Sequence, residues 1–176
     1  MQLKTRQVAY AVVLVAIGVA LAPFTSFPIG IARVNPTQHF VNIVGAVLLG
    51  PWWAMGIAFI IGVLRNALGV GTLLAFPGGM IGALLAGLLY RATCNLYLGA
   101  LGEVVGTGII AAVVSALVVA PVFMGTTMGM GVLIASFLGS TMIGTVIGVA
   151  AIRLLQRAGV IERDDSSQKK ATDVPT

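Results

Sequence analysis

Between Val8 and Ile152 the chain carries only four charged side chains, Arg33, Arg65, Arg91 and Glu103. A soluble domain of 176 residues needs many more to face water. The apolar runs are broken only briefly, and mean hydropathy is +1.07. In hydrocarbon a backbone must satisfy its own polar groups, so the expected fold is an all-α polytopic membrane protein. Six transmembrane helices are expected, at roughly 6–22, 36–50, 52–69, 79–93, 98–120 and 128–157. Pro23 and Pro28, Gly50-Pro51, the "FPGG" at 76–79 and Pro121 supply the breaks. Residues 1–160 are read as one six-helix domain, and 161–176 as a disordered cytoplasmic tail of mixed charge.

Several function classes are excluded early. A secretory leader or lipid anchor does not fit, because hydrophobic character continues past the first run with no small-residue cleavage site. The net charge of +5 flanks membrane segments instead of forming a patch, which argues against nucleic acid. Cys94 is the single cysteine and excludes an internal disulfide. There is no P-loop, no H-E-x-x-H and no G-x-S-x-G, and one histidine makes neither a triad nor a metal site. The chain is therefore read as a non-enzyme without cofactor or metal.

With six helices both ends share one side, which collects Lys4, Arg6, Arg91, Arg153, Arg157, Arg163, Lys169 and Lys170. The opposite side receives Arg33 and Arg65. The positive-inside rule then puts both termini in the cytoplasm of a prokaryotic cell membrane, with Trp52 and Trp53 as interfacial anchors. Small residues recur every four positions: Gly78, Gly82 and Ala86; Gly79, Ala83 and Gly87; Gly108, Ala112, Ala116 and Ala120; Ser136, Ser140, Gly144 and Gly148. Such rows allow close helix approach, and packing within the chain is the expected use for most of them.

The scarce polar groups gather in "IARVNPTQHFVN", residues 31 to 42. Asn35 is placed as an N-cap, Pro36 as the first helical residue and Gln38 as a capping-box partner, although Asn35 and Gln38 are equally candidates for ligand contact. His39 and Asn42 share the next helical face, and starting the helix requires neither. About fifteen residues span only about 22 Å, against a hydrocarbon core of about 30 Å. The helix should therefore begin below the outer surface. A fourth helix starting after "FPGG" is expected to be short as well, leaving a cup open to the outside. Arg33, Arg65 and Asn66 join the cup, with Phe76 from the outer loop and Ser136 and Ser140 from the last helix. Snorkelling to headgroups is the competing explanation for the arginines. Glu103 is placed one turn into the fifth helix at the cytoplasmic end, in a structural or partner-facing role.

The series "NPTQH", "LLGPW", "RN" and "AFPG" within residues 33–91 resembles the ThiW family, substrate-binding S components of energy-coupling-factor (ECF) vitamin transporters. The resemblance implies uptake of a thiazole precursor of thiamin, with hydroxyethylthiazole as the expected ligand. It also implies partnership with a transmembrane coupling subunit and two ATPase subunits, which hydrolyse the ATP. Substrate in such proteins is held by the first and third loops and the outer parts of helices four to six. An Ala-x-x-x-Ala docking motif on the first helix is matched here by Ala16 and Ala20, towards its outer half. The alternatives are an S component for another small heterocyclic vitamin or an anionic thiazole derivative, and a membrane enzyme or assembly factor.

Overall fold

The computed structural model describes residues 2–30 and 32–161. The proposed tail lies outside the described residues from position 162 onward. Six long helical segments follow the expected order. They are α1 (Gln2–Ala20), α3 (Pro36–Leu49), α4 (Pro51–Ala67), α5 (Ala75–Thr93), α6 (Leu96–Phe123) and α7 (Met130–Arg157). A single turn, α2 (Ala22–Thr25), and a hairpin of β1 (Phe27–Ile29) with β2 (Ala32–Val34) fill the first connection. The hairpin was not anticipated, since three-residue strands leave no readable alternation.

Three helices, α5, α6 and α7, are long and apolar enough to cross a membrane by length and composition. The fourteen residues of α3 span about 21 Å, short as expected. The expectation of a short fourth helix is corrected. α5 starts at Ala75, so Phe76, Pro77, Gly78 and Gly79 form its first turn instead of a break before it. Proline is tolerated there because first-turn N–H groups have no intrahelical acceptor. Pro121 likewise does not end its helix. It lies inside a π-helical stretch, Ser115–Phe123, where the wider spacing accommodates a residue without an N–H.

The small-residue rows became packing surfaces. Gly78, Gly79, Gly82, Ala83, Ala86 and Gly87 are all buried in α5, which sits between α3, α4 and α6. Ser136, Ser140, Gly144 and Gly148 are buried on α7, against α3. Gly50 joins α3 to α4 at φ 88°, a left-handed value that a side chain would strain, and Pro51 then starts α4. Trp52, Trp53 and Tyr97 are exposed near the end where α4 and α6 begin, and Arg153 lies over the Tyr97 ring at 5.0 Å. That is the pattern of an interfacial belt.

The start of α3 is held as the sequence suggested, with one exception. Asn35 Oδ1 accepts the Gln38 backbone N–H at 3.1 Å, while Asn35 Nδ2 donates to Ser26 Oγ at 2.8 Å. Gln38 does not reach back as a capping-box partner; its Nε2 donates to Asn42 Oδ1 at 3.1 Å. The cap therefore also ties the first connection to α3. Asn35→Ala should cost about 1 kcal/mol of stability, seen as a lower melting temperature in detergent, with Asn35→Ser recovering most of it. An unchanged Asn35→Ala melt would mean that the hairpin contacts alone fix this helix start.

Candidate ligand cavity beneath the hairpin

At the end of the bundle opposite the chain's first residues, β2, α3, α4, α5, α6 and α7 converge on one cavity. It is lined by Arg33, Val34, Asn35, Gln38, His39, Arg65, Leu74, Ala75, Gly78, Gly79, Thr107, Phe137 and Ser140. Six of the residues singled out in the sequence meet here: Arg33, Asn35, Gln38, His39, Arg65 and Ser140. They come from four separate elements and meet because α3 begins deep in the bundle and α7 packs along it.

Four other candidates lie elsewhere. Asn42 is one turn below, fully buried and bonded to Gln38. Asn66 Nδ2 donates to the carbonyls of Gly62 and Thr72 and so shapes the α4–α5 loop. Phe76 faces Phe59, with ring centroids 5.7 Å apart. Ser136 donates to the Val132 carbonyl of its own helix at 2.7 Å. None of these four lines the cavity.

The roof is the hairpin and its attachments. Arg33 Nη1 donates to the Gly69 carbonyl at 2.7 Å, joining β2 to the α4–α5 loop. Thr37 Oγ1 donates to Thr25 Oγ1 at 2.9 Å, and Arg65 Nη2 to Ser26 Oγ at 3.3 Å. The open space beneath is small, about 30 Å³. The hairpin above it is tied down largely by side chains.

The floor corrects the reading of Glu103. Glu103 does not face a partner at the cytoplasmic end; it is completely buried inside the bundle, where its contacts join helices. Its Oε1 accepts from His39 Nδ1 at 2.9 Å and from Asn42 Nδ2 at 2.9 Å. Asn42 Nδ2 also donates to the Gly79 carbonyl at 3.0 Å. Thr107 Oγ1 stands 3.2 Å from the same carboxylate oxygen, and its single proton has a closer acceptor in the Gly78 carbonyl at 2.7 Å. A carboxylate only accepts, so the histidine proton resides on Nδ1, and His39 Nε2 faces Thr141 Oγ1 at 3.5 Å. The misplacement came from the helix start. α6 is capped by Asn95 and begins at Leu96, which puts Glu103 two turns in, level with the sunken start of α3. The spacing of Glu103 and Thr107, one helical turn apart on a face bearing Gly99, Gly102 and Gly106, was the signal available in the sequence.

Two polar atoms at the cavity have no partner inside the protein. The Ser140 hydroxyl and Arg65 Nε are both buried and unbonded. Groups left this way are costly unless something else supplies the bond. The cavity thus offers donors at Arg33, Arg65 and Ser140, amides at Asn35 and Gln38, and an apolar wall of Phe137 and Leu74. That combination suits a small polar ligand with an apolar face, and among the described residues no group of three metal-ligating side chains occurs.

Ala16 and Ala20, the suggested docking pair, are exposed on α1. Ala16 lines an apolar groove between α1 and α4, together with Val12, Val15, Trp53, Ile57 and Ile60.

The sequence matches the family described as "Thiamine-precursor transporter protein (ThiW)" over residues 8–158. Among solved structures, one described as "Structure and mechanism of the S component of a bacterial ECF transporter" is similar in fold, with a TM-score of 0.66 and 19% identity. The match covers 91% of this chain and 99% of that one. No curated protein matches the sequence.

Proposed function

The chain belongs to the ThiW family of thiamine-precursor transporter proteins, and from that premise we propose that it is the substrate-capture subunit of an ECF-type importer. Its ligand is a thiazole precursor of thiamin, hydroxyethylthiazole or a derivative of it. The observation that carries this reading is the cavity where Arg33, Asn35, Gln38, His39, Arg65 and Ser140 meet, lined also by the buried ring of Phe137 and with the Ser140 hydroxyl unbonded. The membership makes it a transporter and not an enzyme.

Capture takes place at the end away from the termini, which face the cytoplasm. Arg6, Arg91, Arg153 and Arg157 mark that cytoplasmic end, in keeping with the positive-inside rule. The hairpin yields, the ring enters between Phe137 and Leu74, and Ser140 with the amides of Asn35 and Gln38 completes its hydrogen bonds. His39 is held in one orientation by Glu103, which leaves it no freedom to turn away from the ligand. The energy for release comes from outside the chain. A transmembrane coupling subunit docks on the α1 face that carries Ala16 and Ala20, and its two ATPase subunits hydrolyse the ATP.

Cells unable to make the thiazole should grow on exogenous thiazole precursor only when this chain and the coupling ATPase module are both present. Growth that persists without the module would rule out the energy-coupling assignment. Growth that persists without this chain would rule out its role in capture.

A further inference from the structure

The charge of the ligand can be read from the cavity wall, an inference that rests on the thiazole reading above. The lining residues include two guanidinium groups, Arg33 and Arg65, and no carboxylate. Arg65 is only 1% exposed. Its Nη2 meets two neutral acceptors, Ser26 Oγ at 3.3 Å and the Val70 carbonyl at 3.5 Å, and its Nε meets none. Arg33 is bonded to the Gly69 carbonyl, also neutral. Glu103, the buried acid, lies below the cavity and outside its lining, with Oε1 engaged by His39 and Asn42 and Oε2 buried without a partner. Among the described residues neither arginine forms an ion pair.

A buried guanidinium without a counter-charge is expensive, and two long neutral contacts do not offset it. The carbonyls ending α4 contribute a partial negative charge, since Arg65 lies in its last turn. A polar bond is still missing at Nε, and the cavity that Arg65 lines is where a counter-charge can enter. A neutral alcohol needs one or two hydrogen bonds and an apolar slot. It does not need two cations. The planar guanidinium fork instead matches the paired oxygens of a carboxylate or a phosphate.

We propose that the transported thiazole carries an anionic substituent, a carboxylate or a phosphate monoester, neutralised by Arg65 and Arg33, with its ring on the Phe137 side of the cavity. The test is equilibrium binding to the purified full chain of three probes that share one ring: hydroxyethylthiazole, its phosphate monoester and the thiazole carboxylate. At least one anion should bind about 10- to 100-fold more tightly than the alcohol, the range for hydrogen bonds to a charged group. The tighter of the two anions identifies the substituent. Arg65→Gln and Arg33→Gln should each lower anion affinity by a similar factor and alcohol affinity by a clearly smaller one. Arg33 is on the exposed rim, so its variant serves if Arg65→Gln does not fold, and the wild-type series needs no variant. Alcohol binding as tight as the tighter anion overturns this inference and leaves the thiazole reading standing. Binding of none of the three overturns both.

Discussion

Glu103→Ala is expected to lower the free energy of unfolding by about 2–6 kcal/mol, since it leaves two buried N–H donors unsatisfied at about 1–3 kcal/mol each. The side chain is completely buried, and its Oε1 holds donors from two residues of α3, His39 and Asn42. Removing it strands both donors inside the bundle and opens a cavity between α3, α5 and α6. Glu103→Gln retains an acceptor oxygen and should cost less. Chemical unfolding in detergent, read by tryptophan fluorescence, measures both variants. A Glu103→Ala protein as stable as the parent would show that water replaces the carboxylate, and that this network contributes no net stability. Ligand affinity should fall with Glu103→Ala as well, because His39 lines the cavity and would lose the bond that orients it.

The second large effect is expected from a single methyl group at Gly144. A Cβ there would overlap the Pro36 carbonyl oxygen and stand 2.7 Å from His39 Cβ. Backbone cannot move aside cheaply, so α7 must separate from the start of α3. Overpacking of this kind costs about 1–3 kcal/mol and occasionally more. The displaced pieces carry Ser140 on one side and Asn35, Gln38 and His39 on the other, so ligand binding should weaken beyond what stability alone explains. Gly139→Ala is the control, because a Cβ at that position meets nothing within 4 Å. That variant should be neutral or slightly stabilised, since alanine is the better helix former. Equal behaviour of the two variants in melting and binding would contradict the close α3–α7 packing.

How far the sequence could be read is clear from individual residues. The number and order of the long helices followed from apolar runs broken by Gly50-Pro51 and by the polar connections, a signal that hydrocarbon makes strong. Asn35 and Pro36 announced the start of α3 because capping is local chemistry, settled within four residues. "FPGG" and Pro121 misled for the opposite reason. Whether proline ends a helix or sits inside one depends on where the helix starts and on whether it widens to π spacing, and the proline itself announces neither. The hairpin was invisible, since its strands are three residues each and are held largely by groups distant in sequence, such as Gly69.

The site was legible in its composition but not in its geometry. Arg33, Asn35, Gln38, His39, Arg65 and Ser140 stood out because polar groups in hydrocarbon require a reason. Asn66, Phe76 and Ser136 stood out equally, and each found a local partner in its own helix, loop or neighbouring ring. Nothing in their spacing separates the two outcomes. A serine hydroxyl that bonds its own helix carbonyl and one that faces a cavity look alike along the chain.

By itself, then, the sequence determined that this protein is a bundle of apolar helices, with its polar groups pooled at the start of a short one. Periodicity, capping and the cost of charge in lipid act over a few residues and are written in order along the chain. Only the tertiary structure decided that Glu103 reaches His39 across 64 positions, that α7 lies against Pro36, and that two arginines line one cavity with no acid among the residues lining it. Those outcomes depend on how far each helix is sunk relative to its neighbours. That depth is set by close packing of glycines on α5, α6 and α7 against the helices beside them, and no local stretch records it.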